Sequence, residues 1–209
     1  MTPVAAAVAT AVLVVCVLAA ERTGRWRVGA AAKTAASIVF VAVALSRWHP
    51  GDLPGAWLVA GLVLGAAGDL LLALPGGFVP GLAVFLAGHA AYAGAFAAMV
   101  PVGAWPLSAL GPVALTSAVA LRVLWPHLGR LRWAVTAYVA VITVMVWGAA
   151  AAGTGVGGRW RLAGAVAFYL SDLFVARNRF VRRRFLNRAV GLPLYYAGQL
   201  LIACSIGVS

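Results

Sequence analysis

The sequence predicts an all-α polytopic membrane protein, a bundle of eight transmembrane helices forming one integral membrane domain over residues 1–209. Three observations carry that expectation. Hydrophobic residues make up 64% of the chain and charged residues 10%, with a mean hydropathy of +1.01; a soluble domain carries about 25% charged residues. Apolar runs of about 17–25 residues, enough to cross a bilayer, recur along the whole chain. The basic residues alternate in density from one connection to the next. Arg22, Arg25, Arg27, Lys33, Arg122, Arg130, Arg132, Arg177, Arg179, Arg182, Arg183, Arg184 and Arg188 fall in or beside every second connection, and only Arg47, Arg159 and Arg161 fall elsewhere, thirteen against three of the sixteen Lys and Arg. Cytoplasmic connections concentrate positive charge, so this split places the loops after helices 1, 3, 5 and 7 inside and both termini outside, in the cell (inner) membrane.

Taken in order, Pro3–Ala20 is apolar and is followed, not preceded, by basic residues, so it reads as a first transmembrane helix rather than a secretory leader. A basic loop, Glu21–Arg27, leads to helix 2 at Val28–Leu45, which holds Lys33, the single lysine. His49–Pro50–Gly51–Asp52 is a turn signal. Helix 3, Ala56–Leu74, stops at Pro75–Gly76–Gly77. Helix 4, Val79–Val100, carries His89 and Tyr92, and Pro101–Val102–Gly103 turns the chain into helix 5 at Pro106–Leu124. The basic stretch Trp125–Arg132 precedes helix 6 at Trp133–Ala151. Gly153–Gly158 reads as a flexible connection to helix 7 at Trp160–Ala176. The strongly basic Arg177–Arg188 leads to helix 8 at Ala189–Gly207, with Tyr195, Tyr196 and Gln199.

The net charge of +12 is accounted for by these cytoplasmic connections, so no nucleic-acid partner is expected. Cys16 and Cys204 lie in apolar helices and read as small core residues. The scattered His and Cys residues offer no metal-ligand spacing, and no metal or cofactor is expected.

Only four acids are present, Glu21, Asp52, Asp69 and Asp172. The first two fall in predicted loops. Asp69 and Asp172 fall inside apolar helices, where a charge costs several kcal/mol and marks function by default. With the orientation above, Asp69, Asp172, Lys33, Tyr195 and Tyr196 lie about four to six residues from the cytoplasmic ends of their helices, and His89 and Gln199 about ten. Polar groups on different helices at similar depth imply a cavity in the cytoplasmic half. Two buried carboxyls there suit general acid–base chemistry. Bland readings stand beside this one. Asp69 and Asp172 can pair separately with Lys33 or Arg177, Lys33 fits a snorkelling side chain, His89 a helix–helix hydrogen bond, and Tyr195–Tyr196 an interfacial belt. Asn178 and Arg179 fit a plain helix end.

The stretches GLVLGAAGDLLLALPGGFVPGLAVFLAGHAAYAGAF, FYLSDLFVARNRF and LYYAGQLLIA resemble the YhhN-like family of eight-helix membrane proteins, which includes the animal lysoplasmalogenases. The resemblance runs from about Lys33 to Ile202. One departure is Lys33–Thr34, where the family often has Lys-Pro. The resemblance implies hydrolysis of the vinyl ether bond of a lysoplasmalogen to a fatty aldehyde and a glycerophospho-base, with Asp69 and Asp172 as the catalytic pair. It further implies that Lys33 and Arg179 hold the lipid phosphate, that Tyr195, Gln199, Asn178 and His89 orient water or the glycerol hydroxyl, and that Tyr92 and Tyr196 complete the substrate-binding set. The expected partner is a lysophospholipid in the membrane. An intramembrane aspartyl protease is an alternative, although its Gly-x-Gly-Asp is not met at Gly65–Asp69. A lipid transporter is another, although no inverted repeat of interrupted helices is visible. A structural membrane protein is the third, and it leaves two buried acids unexplained.

Overall fold

A computed structural model describes residues 2–208, which form eight α-helices with short connections and no strand. They are α1 (Pro3–Arg22), α2 (Trp26–Arg47), α3 (Leu53–Ala73), α4 (Phe78–Met99), α5 (Leu107–Leu124), α6 (Arg132–Ala151), α7 (Gly155–Ala176) and α8 (Phe185–Cys204). The starts have local causes. The Thr2 hydroxyl accepts from the Ala5 amide at 3.2 Å with Pro3 in the first turn, and the Asp52 carboxylate accepts from the Gly55 amide at 2.9 Å with Pro54 behind it. Both satisfy amides that a helix start leaves open. Asp52 is thereby explained as a cap. The α3–α4 turn needs Gly76, whose φ of +75° is the left-handed region.

Three expectations are corrected. Gly155–Gly158 is helical rather than a flexible connection. Gly157 packs on the Val208 carbonyl and Gly158 on the Gly153 backbone, so tertiary packing overrides the low helix propensity of glycine. The basic stretch 177–188, expected as a loop, is largely helical too. Arg177–Val181 is a π-turn closed by the Arg182 amide donating to the Arg177 carbonyl at 2.9 Å, and α8 already begins at Phe185. Cys16 is exposed rather than in the core, while Cys204 is buried.

The helices run alternately up and down. At one end the α1–α2, α3–α4, α5–α6 and α7–α8 connections meet. Arg22 stacks on Phe185 at 4.1 Å, Arg179 on Phe78 at 4.2 Å, Arg188 pairs with Glu21, and Phe180 packs beside Leu124 and Leu128. At the other end Arg47 donates to the Cys204 carbonyl at 3.1 Å. Thirteen of the sixteen basic residues therefore lie toward one end, with Arg47, Arg159 and Arg161 toward the other.

Exposed apolar side chains line the outside, as at Val4, Val8, Val12 and Val15 on α1. Trp26 and Trp133, both exposed, stand at the basic end of their helices, the place an interfacial aromatic belt takes. Six segments, the helices α1–α4 with 107–127 and 129–151, are long and apolar enough to cross a membrane. α7 and α8, with 22 and 20 residues, match them in length but carry Arg159, Arg161 and Asp172, and Asn187, Arg188 and Gln199, inside their bounds. Of these helices' polar side chains Ser171, Asn187 and Gln199 are buried, while Arg159 is exposed.

α7 and α8 approach through glycine. A Cβ on Gly198 would stand 2.8 Å from the Gly164 carbonyl oxygen and 3.0 Å from the Phe168 amide nitrogen. Both obstacles are backbone, so neither rotates away, and small residues are what permit such contact between membrane helices. Gly198→Ala is expected to lower stability by about 1–3 kcal/mol, read as a reduced melting temperature in detergent. An unchanged melting temperature would show this contact to be looser than described.

Candidate active site

A cavity of about 540 Å³ lies between α2, α3, α4, α5, α6, α7 and α8, within the ~300–1,000 Å³ usual for small-molecule sites. Leu72, Leu82, Phe85, Val139, Ile142 and Phe168 give it apolar walls, and Lys33, Asp69, Asp172 and Tyr195 are among its few polar groups. It extends to the basic end, where Gly76, Gly77, Asn178, Arg179 and Arg183 line it.

Asp69 is 2% exposed on α3. Lys33 on α2 donates to its Oδ1 at 2.9 Å. The Ser37 hydroxyl lies 2.6 Å and the Tyr196 hydroxyl 3.3 Å from Oδ2, and both also lie 3.1 Å from the Lys33 carbonyl oxygen. Lys33 and Ser37 are four residues apart, so they share one face of α2. The lysine is buried rather than snorkelling outward. A buried lysine–carboxylate pair with further hydrogen bonds is the form in which such charges persist.

Asp172 on α7 has different partners. The Tyr138 hydroxyl of α6 donates to its Oδ2 at 2.8 Å, and His89 Nε2 of α4 stands 3.4 Å from the same oxygen. Arg177 is not among these partners. His89 Nδ1 lies 2.6 Å from the Phe85 carbonyl oxygen, which fixes the ring. The ring packs against Phe168 at 4.5 Å and Tyr138 at 5.1 Å.

The structure brings Lys33, Asp69, Asp172, Asn178, Arg179 and Tyr195 to the cavity and leaves His89, Tyr92, Tyr196 and Gln199 behind its wall. Those four are at most 1% exposed. Tyr92 donates to Gln199 Oε1 at 2.6 Å, Gln199 Nε2 donates to the Tyr195 hydroxyl at 3.2 Å, and Tyr195 reaches the Gly65 carbonyl at 3.4 Å. This chain fixes the Tyr195 ring in the wall. It also explains the glycine four residues before Asp69, because a Cβ on Gly65 would strike Gln199 Nε2. At the mouth, the Asn178 side-chain carbonyl accepts from the Arg184 amide at 3.0 Å and from Asn187 Nδ2 at 3.4 Å, so Asn178 braces the α7–α8 connection as well as lining the cavity. Arg179, stacked on Phe78, is the mouth cation closest in kind to the sequence expectation.

Two side chains against the carboxyls escape the sequence reading. Tyr138 sits six residues into α6 from the basic end, the depth of Asp172 in α7, so the depth rule applied to every hydroxyl would have found it. Ser37 is signalled only by its spacing from Lys33.

Comparison with known proteins gives the family. The YhhN family model matches residues 28–206. The chain is 34% identical over 196 residues to a Mycobacterium bovis protein named lysoplasmalogenase, covering 87% of this chain and 71% of that one. It is 36% identical over 157 residues to the Bos taurus lysoplasmalogenase TMEM86A, covering 71% and 64%. With the Sus scrofa lysoplasmalogenase TMEM86B the identity is 33% over 180 residues, covering 82% and 73%. No solved structure matches. With its family model spanning all but the first helix and a few residues at either side, the chain belongs to the YhhN family.

Proposed function

We propose that this chain is a membrane hydrolase that cleaves the vinyl ether bond of lysoplasmalogens, releasing a fatty aldehyde and a glycerophospho-base, with Asp69 and Asp172 as its acid–base pair. One observation carries the reading beyond the kinship: carboxyls from α3 and α7 enter a single apolar-walled cavity that ends at arginines. An alkenyl chain suits the walls formed by Leu72, Leu82, Val139 and Ile142. The lipid phosphate suits Arg179 and Arg183 at the mouth, since guanidinium groups match phosphate geometry. Lys33, expected to take the phosphate, already donates to Asp69, so its part in the reaction is to hold that carboxylate. Tyr195 presents its ring to the cavity.

The chemistry fits two carboxyls. A vinyl ether is hydrolysed by protonation at carbon, which leaves an oxocarbenium ion. One carboxyl supplies the proton, and the other stabilises the cation and takes a proton from water. Glycoside hydrolysis uses two carboxyls around a similar cation. Every step is a proton transfer or a C–O bond change, so the reaction asks for no cofactor. An aspartyl protease reading needs both carboxyls on one water; here each carboxyl has its own set of partners, which favours the ether hydrolase. The test is a panel of 1-alkenyl, 1-acyl and 1-alkyl lysophospholipids with a peptide control. Cleavage of the alkenyl lipid alone is expected; cleavage of the peptide or of the acyl lipid in preference would overturn the assignment.

We further infer that the basic end faces the cytoplasm and both termini lie outside, so the cavity opens to the inner leaflet. A reporter fused to the C-terminus is expected to behave as extracytoplasmic. A cytoplasmic signal from that fusion would invert the orientation.

A further inference from the structure

A proton count around Asp172 leaves one proton to place. A carbonyl oxygen only accepts, so His89 Nδ1, 2.6 Å from the Phe85 carbonyl oxygen, carries a hydrogen and donates it. The other nitrogen, Nε2, then faces Asp172 Oδ2 at 3.4 Å with no hydrogen-bond partner, among the described residues, assigned to it. Tyr138 donates to the same Oδ2 at 2.8 Å. A bare imidazole nitrogen and a carboxylate oxygen are both acceptors and repel each other. The approach is favourable only with one more proton between them. That proton can make an imidazolium beside a carboxylate, or a neutral imidazole beside a carboxylic acid. His89 is 1% exposed and packed between Phe168 and Tyr138, so the first arrangement puts a cation where it is cut off from water. Two charges there need excellent geometry and further hydrogen bonds to offset their desolvation, and Nε2 has neither. The neutral pair costs less.

Asp69 is the reverse case. Lysine only donates, and Lys33 Nζ stands 2.9 Å from Oδ1, with two hydroxyls beside Oδ2. These partners suit a carboxylate. Asp69 and Asp172 thus occupy one cavity with opposite proton inventories.

We propose that Asp172 stands as the undissociated acid, its proton directed at His89 Nε2, and is the proton donor of the reaction, while Asp69 is its standing anion. This rests on the lysoplasmalogen reading of the cavity. Asp172 gives its proton to the alkenyl carbon once removed from the ether oxygen; the C=C electron pair forms the new C–H bond, and positive charge appears at the adjacent carbon and the ether oxygen. Asp69 faces that cation. Water adds to the cationic carbon and its proton passes to Asp69. The hemiacetal then collapses: its hydroxyl proton goes to Asp172, the C–O bond to glycerol breaks, and the leaving oxygen takes the proton from Asp69. Both carboxyls return to their starting states. His89 and Tyr138 are positioning residues: His89 holds the Asp172 carboxyl from behind the cavity wall, and Tyr138, which lines the cavity, fixes the oxygen that carries the proton.

The chain suits a direct test because it has four carboxyl side chains. Glu21 pairs with Arg188, and Asp52 caps α3. Infrared spectra of the purified protein in ester-free detergent at neutral pH are expected to show one undissociated carboxylic-acid carbonyl band. It should shift in D2O, vanish in Asp172→Asn, and survive in the Lys33→Met/Asp69→Asn double variant. His89→Phe should move it to higher frequency by removing the acceptor. Asp172→Asn should keep the wild-type melting temperature, since an amide copies the acid's pattern: its oxygen accepts from Tyr138 and its NH₂ donates to His89 Nε2. No acid band in the wild type, or a band that vanishes in the double variant and survives in Asp172→Asn, overturns the proposal. If Asp172→Asn does not fold, the wild-type and double-variant spectra decide alone. A band assigned to Asp172 in a protein that releases no aldehyde leaves the proton placement standing and removes the substrate reading.

Discussion

Asp172→Asn is expected to lower kcat by roughly 10²–10⁴-fold, the usual worth of a general acid–base group, while the protein stays folded. The variant separates chemistry from architecture because asparagine matches aspartic acid in shape and keeps both contacts, to Tyr138 and to His89. It loses only the transferable proton. KM should move little, because the apolar walls and the arginines at the mouth are untouched. The measurement is steady-state aldehyde release with melting temperature recorded on the same preparation. Wild-type turnover by a folded Asp172→Asn protein would remove Asp172 from the reaction.

Lys33→Met is expected to cost the fold about 3–5 kcal/mol, the range for removing one partner from a buried ion pair. Asp69 is 2% exposed, and without Lys33 its charge keeps only the Ser37 and Tyr196 hydroxyls. Methionine has nearly the same length, so the loss reports charge rather than volume. Asp69→Asn should be destabilising for the mirror reason, since it leaves a buried ammonium. The Lys33→Met/Asp69→Asn double variant should recover much of the stability and none of the activity, because it buries neither charge. Thermal or chemical denaturation of the four proteins in one detergent checks this. Single variants as stable as the wild type would mean that the Lys33–Asp69 pair is solvated rather than buried. The two aspartates therefore differ in kind. Asp172 tolerates its amide and Asp69 does not, although from the sequence both read alike as carboxyls in apolar helices.

That difference marks the limit of what was legible. Helix count and order follow from apolar run length and from the alternation of basic connections, both of which are properties of stretches. The depth of Lys33, Asp69, Asp172 and Tyr195 is legible because rise per residue is constant along a helix. Which residues turn toward the cavity depends on how each helix is rotated, and rotation is decided by packing partners. Tyr92 and Gln199 share the polar character of Tyr195, yet they form the hydrogen-bond chain behind it. Tyr138 is one tyrosine of five with no neighbouring motif, and only the approach of α6 to α7 gives it a role. The helical start at Gly155 escaped for a similar reason: glycine-rich sequence reads as loose until the Val208 and Gly153 backbones are seen against it.

The most direct test of the central claim is the fate of a defined 1-alkenyl lysophospholipid incubated with the purified protein in D2O, read by mass spectrometry. Carbon protonation by an enzyme acid predicts a fatty aldehyde carrying one new deuterium on the carbon beside its carbonyl, formed in equal amount with the glycerophospho-base, and no release from Asp172→Asn. Unchanged lipid, or aldehyde formed at the same rate by wild type and Asp172→Asn, would contradict it.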